Sequence, residues 1–235
     1  MDGATNGAIL FSLGSNVKSS HLPADKIQAL LRIFGKLKQK VIWKWEDDQL
    51  PGKPDNVMIS KWLPQSDVLA HENIRLFISH CGKGSVNEAK YHGVPILALP
   101  VFGDQMPNAL QIEQEGWAKV INLAEFDEDI ALKAIKDLLE NPQYRNKVKT
   151  EADLYLDRPM SALDTAVYWV EYVIRHNGAK HMQSQAIHLN WFQYYGLDVY
   201  AFIGLVLYLI WKLIKFSCCF VLRKLFKSKK NNKLE

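Results

Sequence analysis

Residues that could contact a ligand follow four predicted strands of this 235-residue chain, at the points where those strands end. In an open sheet of parallel strands, ligands bind outside the carboxyl ends of the strands. We therefore expect these side chains to converge on one crevice. They are Gly14 and Ser15 after the first strand, Trp62 and Gln65 after the third, His80, Gly82, Gly84 and Ser85 after the fourth, Glu88 one turn into the next helix, and Asp104 and Gln105 after the fifth strand.

The segment after the fourth strand has the composition of a phosphate site. Gly82, Gly84 and Ser85 stand at a predicted helix start, where backbone amides and the helix dipole attract anions. His80 precedes them and can donate a ring N–H to the same anion. This arrangement predicts a site for a diphosphate.

If the ligand is a sugar nucleotide, the other residues suit its remaining parts. Trp62 offers a flat apolar face on which uracil can stack, and Glu88 offers a carboxylate that can accept hydrogen bonds from two ribose hydroxyls. Asp104 and Gln105 supply acceptor and donor groups for sugar hydroxyls.

Each of these residues also has an ordinary structural explanation. A tryptophan near a strand end usually packs against the core, which would remove Trp62 from the site. His80 alone would be a hydrogen-bonded core histidine, Asp104 an N-cap and Glu88 a solvated helix residue. These explanations stay open for each residue taken by itself.

Hydrophobic periodicity predicts the elements that must position these residues. Strands alternate with helices, which implies an α/β fold with a doubly wound parallel sheet. The predicted strands are Ala8–Leu13, Lys40–Trp45, Val57–Ser60, Leu76–Ser79, Pro95–Leu99 and Lys119–Leu123, and the predicted helices are a segment opened by Pro23, then Pro64–Ala70, Gly82–Tyr91, Asp104–Glu115, Glu128–Glu140, Gln143–Leu156 and Ala162–His176.

Several separated stretches of the sequence carry a family resemblance. The longest is WLPQSDVLAHENIRLFISHCGKGSVNEAKYHGVPILALPVFGDQ, from Trp62 to Gln105, and the others are SLGSN, WVEYVIRH, GAKH and WFQYYGLDV. In order and spacing they resemble the UDP-glycosyltransferases over nearly all of the chain. The resemblance implies a GT-B glycosyltransferase fold, with this chain similar to the C-terminal, Rossmann-like domain that holds the UDP-sugar, followed by a membrane anchor.

The resemblance also implies a chemistry. Family members transfer a hexosyl group, such as glucose or glucuronic acid, from a UDP-sugar to small lipophilic hydroxyl compounds, with inversion at the anomeric carbon. The UDP-sugar is a co-substrate, so we expect no cofactor, and the histidines lack metal-ligand spacing, so we assign no metal. The family's acceptor site and its histidine–aspartate base pair lie in an N-terminal domain, and we therefore assign no catalytic residue here. The segments WKWEDD and LPGKPDNV resemble those of insect members, which favours UDP-glucose over UDP-glucuronic acid as the donor.

Two positions depart from the family pattern. The family usually reads His-Gly-Gly where this chain has His80, Cys81 and Gly82, and many members carry a polar residue in place of Gly84. We expect Cys81 to place its thiol beside the bound phosphate and donor binding to survive. A further candidate for the wall of the donor cleft is Trp45, in the loop Lys44–Asn56.

Composition and charge narrow the class of protein. The hydrophobic fraction of 48% is sufficient for a sizeable α/β core. The net charge of +4 comes from the C-terminus, because residues 1–196 hold 21 basic and 23 acidic side chains. The globular part is nearly neutral, which argues against a nucleic-acid-binding face. Only Cys81 precedes the apolar C-terminal segment, so no disulfide framework is expected.

The C-terminal segment has the pattern of a single-pass membrane anchor. Val199–Trp211 holds 13 residues without a charge, flanked by aromatic residues before it and lysines after it, and we expect a span near Tyr195–Ile214. The alternative is a buried helix of a soluble protein. The lysine asymmetry predicts type I topology with the sheet domain lumenal, and the family resemblance implies the endoplasmic reticulum membrane. The start MDGATNG lacks the features of a signal peptide, so lumenal entry would need a signal upstream.

Two functions remain open. The first is the donor-binding half of a UDP-glycosyltransferase, active together with an N-terminal acceptor domain, and the second is a non-catalytic short isoform that binds and modulates full-length glycosyltransferases in homo- or hetero-oligomers. A nucleotide dehydrogenase is disfavoured, because no GxGxxG follows the first strand. The expected organisation is a donor-binding domain over residues 1–160, a helix and linker over 161–190, an anchor region over 191–222 and a basic cytosolic tail over 223–235.

Overall fold

The computed structural model describes the backbone of residues 1–231 and the side chains of residues 1–219. The chain divides into two compact units, the first Met1–Pro159 and the second starting at Met160. Part of the tail predicted over residues 223–235 lies outside the described backbone, and all of its side chains lie outside the described ones.

The first unit contains one six-stranded sheet in which all strands are parallel. The strands are β1 Ala8–Ser12, β2 Lys40–Lys44, β3 Val57–Ser60, β4 Ile74–Ser79, β5 Ile96–Ala98 and β6 Ala118–Val120. Their order in the sheet is β3-β2-β1-β4-β5-β6, so β2 and β3 are added on one side of β1, and β4, β5 and β6 on the other. The strand order reverses between β1 and β4, and α/β sheets bind ligands at such a point.

Helices cover both faces of this sheet. They are α1 Ala24–Gly35, α2 Gln65–Ala70, α3 Lys83–Tyr91, α4 Gln105–Gln114, α5 Glu128–Glu140 and α6 Pro142–Leu156, with short 3-10 segments at Ser19–His21 and Leu123–Glu125. Residues of α1 and α5 pack with Phe11 and Trp43 on one face, and residues of α2, α3, α4 and α6 pack with Phe77 and Trp117 on the other. This two-sided cover explains why all five residues of β1 are buried.

The α/β fold with a doubly wound parallel sheet is thus confirmed, and most elements lie within one or two residues of their predicted bounds. The sixth strand is an exception. It was predicted to reach Leu123, but it ends at Val120. The cause is local: the side chain of Asn122 accepts a hydrogen bond from the backbone N–H of Ala124 and starts a 3-10 turn at Leu123.

The second unit is helical over its described residues. It comprises α7 Ala162–Arg175, 3-10 segments Lys180–Met182 and Gln185–His188, α8 Trp191–Tyr194, and α9 Leu197–Asn231. Ser161 caps α7 by accepting a hydrogen bond from the Asp164 N–H at 3.0 Å. Within the unit, Tyr172 Oη and His181 Nε2 lie 2.8 Å apart.

One helix in the described part of the chain is long and apolar enough to cross a membrane. It is the stretch Leu197–Cys219 of α9, 23 residues long, none of them buried. The expected span from Tyr195 to Ile214 differs from the helix bounds at both ends, and its position in a membrane stays a prediction. Gly196 has φ +65° and separates α8 from α9, so Tyr195 does not belong to the long helix, and the helix continues past Lys212 and Lys215.

Candidate functional site

A cleft of about 530 Å³ lies at the carboxyl ends of the central strands, next to the reversal of strand order. The loops after β1, β3 and β4 form it together with the start of α2 and α3. Nine of the eleven residues that the sequence predicts for a ligand site line this cleft: Gly14, Ser15, Trp62, Gln65, His80, Gly82, Gly84, Ser85 and Glu88.

The imidazole of His80 is held between two glycines. A Cβ atom at Gly14 would lie 2.6 Å from His80 Cε1, and one at Gly82 would lie 2.6 Å from His80 Nε2. His80 Nδ1 is buried and has no hydrogen-bond partner among the described residues. Burial lowers the pKa of His80, and the carboxylate of Asp104 only partly opposes this. At neutral pH the ring is therefore neutral and can donate one hydrogen bond.

The first turn of α3 faces the same cleft. Gly82 is the N-cap and has no side chain with which to cap, and the first hydrogen bond of the helix runs from Val86 N–H to Gly82 O at 3.1 Å. The N–H groups that precede Val86 in this turn have no helical partner. They carry the positive end of the helix dipole, which makes this turn suitable for an anion.

Glu88 is positioned by a neighbour on α2. The amide of Gln65 donates to Glu88 Oε2 at 2.7 Å and to Ser85 Oγ at 3.2 Å. One carboxylate oxygen of Glu88 is thus engaged by the protein, and the other remains available to accept from a ligand hydroxyl. Gln65 thereby orients the carboxylate and also lines the cleft.

Trp62 presents an accessible aromatic face. Its relative exposure is 74%, so it does not pack in the core. The Ser60 hydroxyl donates to the carbonyl of Trp62 at 2.7 Å and fixes the loop after β3. An exposed indole at the rim of a cleft can stack on a flat ring.

Asp104 and Gln105 do not line the cleft. Gln105 is buried, and its Oε1 accepts from the backbone N–H groups of Val101 and Phe102 at 2.8 and 3.0 Å, so this side chain shapes the loop after β5. Asp104 is exposed and occupies the N-cap position of α4 without capping it. Its carboxylate accepts from Asn108 Nδ2 at 2.9 Å, which also donates to the carbonyl of Cys81 at 3.1 Å.

Two expected neighbours of the ligand belong to the core. The thiol of Cys81 was expected beside the phosphate, but Cys81 is fully buried among apolar residues such as Phe77 and Val86, and burial raises its pKa to about 12. Trp45 was expected as a cleft wall, but it is buried against Trp43. Its indole N–H donates to the carbonyl of Gln49 at 3.0 Å.

Two lysines of the cleft were missed by sequence reasoning. Lys44 ends β2 and Lys83 begins α3, and both line the cleft. The carboxyl-end rule was not applied to the second strand, and it would have missed Lys44 because that strand was predicted to continue to Trp45 but ends at Lys44. Lys83 lies between two residues that were predicted, Gly82 and Gly84, but a surface lysine at a helix start carries no distinctive signal.

Comparison with known proteins gives one family. The family model described as "UDP-glucoronosyl and UDP-glucosyl transferase" matches residues 2–232. "UDP-glycosyltransferase UGT5" of Dactylopius coccus is 45% identical over 87% of this chain and 39% of its own length. "UDP-glucosyltransferase 2" of the same organism is 40% identical over 100% of this chain and 45% of its own length. "UDP-glucuronosyltransferase 1A1" of Rattus norvegicus is 37% identical over 95% and 42%. The chain spans about two fifths of the length of these relatives.

Solved structures support the fold. Spinosyn forosaminyltransferase SpnP matches with a TM-score of 0.62 and 23% identity, over 72% of this chain and 44% of that one. The glycotransferase of kitacinnamycin matches with a TM-score of 0.57 and 24% identity, over 64% and 39%. The first unit is therefore built like one domain of a GT-B glycosyltransferase.

Proposed function

We propose that the first unit of this chain, which belongs to the UDP-glucuronosyl and UDP-glucosyl transferase family, binds the UDP part of a UDP-sugar in the cleft beside His80. The observation that carries the proposal is the meeting of the α3 N-terminus, His80, Trp62 and Glu88 around one cleft at the reversal point of the sheet. Each supplies an interaction that a different part of UDP requires.

The proposed contacts follow from the geometry. Uracil stacks on the exposed face of Trp62, and a ribose hydroxyl donates to the free oxygen of Glu88. The diphosphate accepts hydrogen bonds from the first turn of α3 and from the ring of His80.

These contacts also serve the transfer reaction. When the bond between the anomeric carbon and the diphosphate oxygen breaks, negative charge grows on the departing UDP. Donors fixed before the reaction stabilise such charge without reorganisation. His80 and the α3 amides are fixed in this sense, since the ring is held between Gly14 and Gly82 and the amides belong to a helix.

We infer that the complete reaction transfers a hexose to a small lipophilic hydroxyl compound. The relatives support two donors, because one is named a glucosyltransferase and another a glucuronosyltransferase. We propose UDP-glucose, on the identity with the Dactylopius coccus relatives. Asp104 is proposed to contact the sugar, since it is exposed and close enough to influence His80, whereas Gln105 is proposed to hold the loop after β5.

Calorimetry of the 235-residue chain in detergent micelles tests the donor site. We expect UDP to bind and His80→Ala to weaken binding by about 1.5 to 3 kcal/mol, the range of a lost hydrogen bond to a charged group. His71→Ala is the matched control, because His71 precedes β4 whereas His80 follows it, and His71 Nε2 lies 3.0 Å from Asp2 Oδ1 outside the cleft. A folded chain that shows no heat with UDP would disprove the donor-site proposal.

A further inference from the structure

Among the residues whose side chains the structure describes, Lys83 is the lysine of the cleft without an ion-pair partner. We propose that Lys83 pairs with the diphosphate of the UDP-sugar and determines how strongly the cleft prefers a charged nucleotide over the nucleoside. This inference rests on the proposed function and deepens it, because it names a side chain that selects the phosphate part of the donor.

The charges around the cleft leave this role to Lys83. The titratable side chains that line it are Lys44, Asp67, His80, Lys83 and Glu88. Lys44 Nζ pairs with Glu46 Oε1 at 3.0 Å, and both side chains are largely buried, at 13% and 16% exposure. Burial lowers the pKa of His80, so its ring brings no charge at neutral pH. Without Lys83 the lining would be net negative and would repel a diphosphate.

The placement of Lys83 suits this contact. It is exposed, it lies next to the free amides of the α3 first turn, and no carboxylate of a described residue lies within ion-pair distance of it. A lysine offers three donors on a flexible stem and binds phosphate as a point charge.

Lys83 is also unfavourable for the fold, which points to a ligand. The N-terminus of a helix favours acidic side chains, and the first turn of α3 contains none. Lys83 places a positive charge on the positive end of the helix dipole. A bound diphosphate would relieve this repulsion and the unliganded protein retains it.

Calorimetry with UDP and with uridine tests the proposal on the whole chain in detergent micelles. Lys83→Gln should weaken UDP binding about 2- to 5-fold, as expected for an exposed ion pair, and leave uridine binding unchanged. Lys83→Arg should keep UDP affinity. The control is Lys61→Gln, which removes an exposed lysine that pairs with Asp48 at 2.7 Å and does not line the cleft. The unliganded Lys83→Gln chain should unfold at the wild-type temperature or above it.

The outcomes separate this inference from the proposed function. If the wild-type chain binds no UDP, the donor-site proposal and the role of Lys83 are both wrong. If the wild-type chain binds UDP and His80→Ala weakens binding but Lys83→Gln does not, only the role of Lys83 is wrong. Equal losses for UDP and uridine would mean that Lys83 supports the fold. A loss seen with UDP-glucuronic acid and not with UDP-glucose would move Lys83 from the diphosphate to the sugar carboxylate and overturn the proposal.

Discussion

The position of the His80 ring depends on glycine residues beside it, because they have no side chains. The backbone around Gly14 and Gly82 approaches the imidazole so closely that a Cβ at either position would overlap the ring. Gly14 also has φ +82°, which disfavours any other residue there. Gly82 was predicted to present its amide to a phosphate and Gly14 to lie in the crevice. The structure adds a second reason for both glycines, since they leave space for the ring of His80, which lines the same cleft.

Gly82→Ala tests this dependence without a change in backbone preference, because φ of Gly82 is −58°. The new methyl group would displace the His80 ring, so we expect UDP affinity to fall about as much as it does in His80→Ala, roughly 10-fold or more. The matched control is Gly3→Ala, because Gly3 lies outside the cleft and a Cβ there would meet only Lys40 Nζ, at 3.6 Å. Calorimetry on both variants checks this, and equal affinities for the two would contradict the packing of His80 against Gly82.

The direction of the Cys81 side chain could not be predicted from the sequence pattern. Its neighbours His80 and Gly82 line the cleft, but Cys81 itself has φ +62°, a conformation that turns its side chain into the core. The family's glycine at this position has no side chain to place, so the resemblance held no information on its direction. The backbone N–H of Cys81 donates to Ser79 Oγ at 3.1 Å and helps to hold this uncommon conformation.

The elements of the first unit were predictable because each is dictated locally. Strands β1 to β5 follow apolar runs that end at polar or glycine residues, and the helices between them have one apolar face. The position of Gln105 was not predictable in this way. Its amide oxygen accepts from the loop that precedes it, so the same residue type that could bind sugar hydroxyls instead stabilises the backbone. Only the three-dimensional course of the loop after β5 distinguishes the two roles.

Helix α9 and the lysines after it predict how the chain is oriented in a membrane. Its apolar stretch Leu197–Cys219 is long enough for a span of ~20 residues, and the sequence beyond it is rich in lysine, which favours the cytosolic side. We expect the chain, when made behind a signal peptide in sealed microsomes, to lose only Lys227–Glu235 and nearby residues to added protease. Detergent-opened microsomes are the control, in which the rest of the chain also becomes accessible. Protection of the tail in sealed microsomes would reverse the proposed orientation.

In the whole molecule, binding UDP and transferring the sugar to an acceptor require different groups. The UDP contacts proposed here all come from the first unit, but transfer also needs an acceptor held in line with the anomeric carbon and a general base about 3 Å from its hydroxyl, a group typically worth 10²- to 10⁴-fold in rate. No residue was assigned that base from the sequence. This chain matches 39% and 45% of the length of the two Dactylopius coccus relatives.

We therefore expect the 235 residues alone to bind UDP without glycosylating an acceptor, and a chimera that supplies a relative's N-terminal domain to do both.

In the chimera, Asp104→Ala and Gln105→Ala separate UDP binding from sugar transfer. Both residues lie outside the cleft lining, so UDP affinity should stay within about 3-fold of the parent in both variants. Transfer should be lost in both, for different reasons: Asp104→Ala removes the proposed sugar contact, whereas Gln105→Ala leaves the N–H groups of Val101 and Phe102 without their acceptor and loosens the loop after β5. Acceptor-dependent turnover measured with the 235-residue chain alone would contradict this division, and so would undiminished turnover by the Asp104→Ala chimera.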